Sequence, residues 1–82
     1  MLPEQIRDLI ETGIPGARAL VRGEDGVHFE ALVAAETFRG MNTLKQHQLV
    51  YGTLGARMGT EIHALALRTC TPEQWQHLTA EA

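Results

Sequence analysis

The sequence is poor in the residues that several classes of functional site require. Its 82 residues include one cysteine, Cys70, so neither an intramolecular disulfide nor a cysteine-rich zinc site can form within the chain. Aromatic residues make up only 5%, which leaves leucine, valine, isoleucine and alanine to build the core. No apolar run approaches the roughly 20 residues that cross a bilayer, and the first residues lack a secretory signal pattern. These absences predict a soluble, cytoplasmic protein with no membrane partner.

Positive charge is also scarce. Seven Lys and Arg residues stand against ten Asp and Glu residues, so the formal net charge is −3 with histidine neutral. The basic residues are spread along the chain, whereas binding to a phosphate backbone requires a positive surface. This composition argues against strong nucleic-acid binding and leaves weak or local binding open. The chain also lacks a nucleophile–base pair, a Gly-rich phosphate loop and a paired-carboxylate signature, so we expect no enzyme activity.

The hydrophobic pattern predicts one α+β domain over residues 1–82. With 44% hydrophobic residues, the chain can bury a real core. Helical spacing, strand alternation and turn residues predict elements in the order α-β-β-(α)-α-β-α. The predicted elements are a helix over 3–12, strands over 17–22 and 27–35 joined by a turn at 23–26, a short helical turn within 36–42, a helix from Thr43 to about Met58, a strand over 61–69 and a helix that begins at Thr71.

The strand patterns predict which faces are buried. In the second strand the apolar face comprises Val27, Phe29, Ala31, Val33 and Ala35, so His28 points away from the core. Both faces of the third strand are largely apolar, which predicts a strand covered on both sides. We expect a three-stranded sheet with helices on one face, a core over residues 3–76 and a frayed tail over residues 77–82.

The long helix shows an apolar stripe and two glycines. The stripe is formed by Leu44, Val50, Tyr51, Leu54 and Met58. Glycines at positions 52 and 55 weaken the helix and predict close packing against a neighbouring element.

Three segments in this order resemble the BolA family. They are GEDGVHFEALV, FRGMNTLKQHQLVYGTL and IHALALRTCTPEQW, and they look most like the short branch with GDGSHF-type turns. The resemblance covers roughly residues 3–76. It implies the fold α-β-β-α-α-β, which is similar to a class II KH domain. It also implies pairing with a monothiol glutaredoxin through a bridging [2Fe–2S] cluster, in iron–sulfur trafficking and iron homeostasis.

The resemblance implies a ligand site at two histidines. His63 matches the histidine of the family's HAL segment, which is a cluster ligand, and His28 is the candidate second ligand, with Asp25 the weaker alternative. A glutaredoxin thiolate and a glutathione thiolate would complete the set, so the isolated protein would hold no cluster. Gly26, His28 and His63 would lie on the partner interface. From the residues alone, structural roles for both histidines remain open, and the free protein is expected to be a monomer or a homodimer.

The same resemblance implies a second hypothesis, because some relatives are described as DNA-binding transcriptional regulators. The candidate nucleic-acid contacts on the KH-like surface are Arg39, Lys45 and His47. Where the family often has Arg-His-Arg on the long helix, this chain has Gln46-His47-Gln48, so two positive charges are missing. The GEDG turn matches the GXXG sequence motif of a KH loop but not its structure or chemistry, since it joins two strands and its central residues are acidic, whereas a KH loop binds a phosphate backbone.

Overall fold

The computed structural model describes residues 1–80, which form a three-stranded sheet and three α-helices. The α+β class and the order of elements agree with the sequence prediction. The elements are α1 (Pro3–Gly13), β1 (Arg18–Arg22), β2 (His28–Ala34), α2 (Thr43–Leu54), β3 (Ala64–Cys70) and α3 (Pro72–Ala80), with short 3₁₀ turns at Glu36–Phe38 and Gly55–Arg57.

The sheet combines an antiparallel and a parallel pair in the order β1-β2-β3. The tight turn at 23–26 joins β1 to β2 as the expected antiparallel hairpin, with Leu20 opposite Leu32. The segment containing α2 then carries the chain back, so that β3 lies parallel to β2 with Ala64 opposite His28. The first residues of β2 and β3 therefore lie at the same end of the sheet.

One face of the sheet carries the main core, packed under α1 and α2. The inward residues of β2 are those that the alternation predicted, including Phe29, Ala31 and Val33. They contact buried side chains of the two helices, which show apolar residues at helical spacing: Ile6, Ile10, Val50 and Leu54. This packing fixes the direction in which His28, the outward neighbour of Phe29, must point.

The third helix lies on the opposite face, against β2 and β3. Ala34 and Cys70 pair with each other at the carboxyl ends of their strands and are buried, although neither belongs to the main core. Trp75 of α3 borders the same surface as Ala34. The prediction that the helices share one face is therefore wrong for α3, because the small side chains of Ala34 and Cys70 leave room for a helix there.

The third strand is an edge strand, and the prediction of cover on both faces is wrong. Leu65 and Leu67 face the core, whereas Ala64 and Ala66 are exposed. Alanine counts as apolar in a sequence pattern, but leaving its small side chain exposed to water costs little free energy. The strand also begins at Ala64, three residues later than predicted, because Ile62 is held in a preceding turn by its backbone bonds to Arg57 and Gly59.

The long helix departs from its predicted stripe in two respects. It ends at Leu54, since Gly55 adopts a positive φ of 54°. Leu44 is 66% exposed and does not contribute to the core. Added Cβ atoms at Gly52 and Gly55 would meet no atom of a neighbouring element within 4 Å, so the prediction of close packing at these two glycines is wrong. The close approach occurs instead at Gly13 of α1, where an added Cβ would lie 2.6 Å from Thr53 Cγ2.

The helix α3 extends further towards the carboxyl end than the sequence pattern predicted. Residues 77–80, which the sequence predicted to be frayed, form the last turn of α3, and residues 81 and 82 lie outside the described part. Within residues 1–80, no helix has the length and apolar character needed to cross a membrane.

Candidate metal-binding and partner-binding site

The two candidate histidines lie side by side at the end of the sheet where β2 and β3 begin. His28 opens β2 and His63 immediately precedes β3, and the parallel register brings their rings to a centroid distance of 6.1 Å. The ring planes are inclined at 69°, and both residues are exposed. A metal ion or a partner group can therefore approach both imidazoles from solvent.

The backbone at His63 is held firmly although its side chain is free. Its N–H donates to the carbonyl of Val27 at 2.8 Å, and the preceding residue, Ile62, is completely buried. The imidazole makes no hydrogen bond to any residue in the range 1–80. His63 is thus not satisfied in the core, which was one structural alternative for this residue, and it lies just before β3, where the other alternative, a histidine at the end of a strand, remains open.

Asp25 binds the backbone and the ring of His28 at once. Its Oδ1 accepts hydrogen bonds from the N–H groups of Val27 at 3.0 Å and His28 at 2.8 Å, and its Oδ2 lies 2.6 Å from His28 Nδ1. The N–H groups of His28 and Val27, followed by the imidazole, hold the pKa of the Asp25 carboxyl well below its usual range. An ionised carboxylate only accepts hydrogen bonds, so Nδ1 of His28 carries a proton, and in the neutral imidazole the free lone pair is on Nε2.

The turn that carries Asp25 depends on two glycines. Gly26 has a φ of 80°, a conformation that side chains rarely adopt. A Cβ at Gly23 would collide with the Phe29 ring and lie 2.8 Å from the carbonyl oxygen of His28. The sequence predicted Gly26 on the partner interface, and the structure places it within the turn beside His28. The orienting contact of Asp25 was missed, although the spacing D-x-x-H within a tight turn is a usable signal for it.

An open cleft of about 630 Å³ lies beside this turn on the exposed sheet face. Its lining includes His28, Asp25, Glu30 and Ala64. Within residues 1–80, no group of three or more His, Cys, Asp or Glu side chains is arranged to hold a metal ion. This part of the chain therefore offers a pair of imidazoles rather than a complete set of metal ligands.

Cys70 lies far from the histidine pair. It is six residues beyond Ala64 along β3, which corresponds to roughly 20 Å of strand. It is buried, and this burial raises the pKa of its thiol above the ordinary value. The thiol belongs to the packing beneath α3 and takes no part in the site.

The residues that were candidates for nucleic-acid contacts do not form a free basic surface. Arg39 donates from Nε to Glu36 at 2.6 Å and from Nη2 to Glu73 at 2.7 Å, so two carboxylates neutralise it. Lys45 is exposed, and His47 is half-buried with its ring edge-on to Tyr51 at 6.4 Å.

Position 46, where the family often has arginine, has a structural role in this chain. The Gln46 amide nitrogen donates to the carbonyls of Phe38 and Met41, at 3.1 Å and 2.9 Å. Its oxygen accepts from the Thr69 hydroxyl at 2.6 Å. Gln46 thus joins α2 to β3 and to the segment before α2.

Comparisons with known proteins agree on one family. A family model described as "BolA-like protein" matches residues 14–74. The chain is 38% identical over 61 residues to a "DNA-binding transcriptional regulator BolA" of Vibrio cholerae, covering 74% of this chain and 57% of that protein. It is 36% identical over 61 residues to the "BolA-like protein 1" of Homo sapiens, covering 74% and 44%. These matches span about half the length of the curated relatives.

A solved structure extends the similarity to the whole fold. The structure of a bolA protein homologue from Coxiella burnetii is 43% identical and superposes with a TM-score of 0.82. The superposition covers 93% of this chain and 97% of that chain. The three-stranded sheet with its flanking helices is therefore the architecture that this homologue also has.

Proposed function

The chain belongs to the BolA-like family, and on that premise we propose that it is a non-enzymatic cytoplasmic adaptor that shares a bridging [2Fe–2S] cluster with a monothiol glutaredoxin. Its role would lie in iron–sulfur cluster trafficking and iron homeostasis. The observation that supports this proposal best is the exposed pair of imidazoles, 6.1 Å apart, at the end of the sheet.

The two histidines have the properties that metal ligands need. A metal–imidazole bond is about 2.0–2.1 Å long, so rotation of two neighbouring side chains can bring one nitrogen from each ring to a single metal. Nε2 of His28 is free because Nδ1 is held by Asp25, and the His63 ring is unpaired within residues 1–80. Histidine ligation would raise the potential of the cluster relative to ligation by thiolates alone.

The small number of ligands favours a shared site. His28 and His63 supply two donors, and the Asp25 carboxylate is already occupied by three hydrogen bonds. We therefore assign Asp25 to support of His28 and leave the remaining ligands to a glutaredoxin thiolate and a glutathione thiolate. The partner would approach the surface formed by Gly26, His28 and His63, which is open to solvent at both rings.

The test is anaerobic reconstitution of the cluster with a monothiol glutaredoxin, glutathione, iron and sulfide. Adding the wild-type protein should change the visible absorption and circular dichroism of the cluster. The variants His63→Ala and His28→Ala should lose or alter that change, because each removes one ligand. His77→Ala is the matched control, since His77 is an exposed histidine on α3.

Two outcomes would contradict the adaptor role. One is a wild-type protein that leaves the cluster spectrum unchanged. The other is a His63→Ala variant with the spectrum of the wild-type complex, which would remove His63 from the ligand set. An unchanged spectrum with His28→Ala alone would leave His63 in place and require a different second ligand.

A nucleic-acid-binding regulator is the second candidate function. The name of the Vibrio cholerae relative, a DNA-binding transcriptional regulator, supports it. The net charge of −3 and the ion pairs of Arg39 count against it, because both reduce the attraction between this surface and phosphate groups.

A further inference from the structure

We propose that Asp25 is a positioning residue that preorganises His28 beside His63, so that the protein without any partner presents two imidazoles to a divalent transition-metal ion. This inference rests on the proposed role of the two histidines as ligands. It goes further in assigning a function to Asp25 and in stating that the pair is formed before a glutaredoxin arrives.

The first argument is the geometry of the Asp25 carboxylate. Oδ1 is fixed by the two successive N–H groups of Val27 and His28, at 3.0 Å and 2.8 Å. This Asx-type turn sets the direction of the whole carboxylate relative to the start of β2. Oδ2 is thereby directed at His28 Nδ1, 2.6 Å away, although His28 and Asp25 are both more than half exposed.

The second argument is the chemistry of ligating histidines. A metal-bound imidazole usually donates its other ring N–H to a carboxylate or carbonyl, which selects the tautomer and fixes the ring. Within residues 1–80, His28 is the histidine whose ring nitrogen has such a carboxylate partner. It is also the one whose ring lies next to a second exposed imidazole, that of His63.

A purely structural role for Asp25 would be to cap the turn, and two substitutions separate the roles. Asp25→Asn keeps an oxygen for the backbone N–H groups but replaces the other oxygen with an NH₂ group, which donates. That group would favour an unprotonated Nδ1 and place the proton on Nε2, where it blocks metal binding. Asp25→Ala removes both the cap and the ring contact.

The matched control for the charge is Glu24→Gln. Glu24 is the adjacent exposed acid, and its side chain makes no hydrogen bond within the described residues. Its substitution removes the same negative charge from the turn as Asp25→Asn does. A difference between the two variants therefore reports the hydrogen bond to His28 rather than the charge.

The experiment uses the purified protein and Ni²⁺ as the probe. Imidazole ¹⁵N NMR of the metal-free protein, above the pH at which histidines protonate, should show the Nδ1–H tautomer at His28 in the wild type. It should show the Nε2–H or a mixed tautomer in Asp25→Asn, with the amide spectrum of β2 retained. Titration with Ni²⁺ should perturb both His28 and His63, and Asp25→Asn should weaken binding by about 10- to 100-fold.

Several outcomes would overturn the inference. They are a wild-type protein that does not bind Ni²⁺ at His28 and His63, an Asp25→Asn variant with unchanged tautomer and affinity, and a Glu24→Gln variant as weak as Asp25→Asn. Failure of the proposed function is distinguishable, because the adaptor role is measured by the cluster spectrum with glutaredoxin. If Ni²⁺ binds as expected but the protein does not change the spectrum of the glutaredoxin cluster, the positioning role of Asp25 is supported and the adaptor role is not.

Discussion

At the level of single residues, the turn between β1 and β2 brings together the contacts on which the site depends. Gly23 lies against the Phe29 ring and the His28 carbonyl, and Gly26 supplies a positive φ. Asp25 then binds the backbone and the ring of His28. The position of one imidazole is therefore set by three residues of the turn: Gly23 through its lack of a side chain, Gly26 through its positive φ and Asp25 through its hydrogen bonds.

Two glycine substitutions test this reading of the turn. Gly23→Ala should destabilise the protein by about 1–3 kcal/mol, because its methyl group must displace the Phe29 ring or the His28 carbonyl. Gly52→Ala should stabilise it by about 0.5–1 kcal/mol, because it adds a methyl group in open space on a helix. Urea denaturation of both variants measures these changes. A Gly23→Ala variant as stable as the wild type would show that a methyl group can be accommodated between the Phe29 ring and the His28 carbonyl, and would contradict this interpretation of the turn.

At the level of elements, α3 is the least embedded helix. None of its residues is buried, and it begins with the Thr71–Gln74 capping box and the contact between Arg39 and Glu73. Arg39 also binds Glu36, so one guanidinium joins the segment after β2 to the start of α3. Hydrogen bonds from Arg39 lower the pKa of both glutamates. The attachment of α3 therefore depends on charge as well as on Trp75.

Removing Arg39 should change how stability depends on pH. A carboxylate with a lowered folded pKa stabilises the fold above its unfolded pKa, about 4.3 for glutamate, and this contribution disappears as the pH falls through the lowered value. Arg39→Gln should therefore be less stable than the wild type at neutral pH, and the difference should vanish in acid. Because the pair is exposed, added salt should shrink the difference.

Urea unfolding of both proteins across this pH range measures the effect of Arg39→Gln. Arg57→Gln is the control, since Arg57 is exposed and has no ion pair within residues 1–80. A pH-independent difference for Arg39→Gln would assign its effect to packing of the side chain rather than to charge.

At the level of the whole molecule, the charge distribution weighs on the choice between the two candidate functions. The net charge is −3, and Arg39, in the segment before α2, is already neutralised by two glutamates. Phosphate binding would have to rely on scattered residues such as Lys45. The histidine pair, in contrast, needs no positive field to bind a metal ion.

Gel-shift measurements with duplex DNA across a salt series should therefore show only weak complexes at low salt, lost by about 0.15 M salt. The Arg39→Gln variant should bind DNA as weakly as the wild type, because the charge of Arg39 in the wild type is already paired with two glutamates. A complex that persists at that salt and that Lys45→Gln weakens would favour the regulator over the adaptor.

The types of the elements follow from the sequence because their signals are local. Pro3 in the first turn of α1, the alternation through β2 and the capping box at Thr71 all act within a few residues. The class and the order of elements were accordingly predictable. The end of α2 and the start of β3 were not, since Gly55 and the turn before Ala64 act through backbone geometry that composition does not show.

The sequence by itself thus determined a small α+β domain, its hairpin and a histidine on the outward side of the second strand. Only the tertiary structure decided that His63 lies outside its strand, that α3 covers part of the second face of the sheet and that His28 and His63 are neighbours. The physical reason is that parallel pairing of β2 with β3 is a non-local register, set by core packing under α1 and α2. No pattern within either strand specifies it.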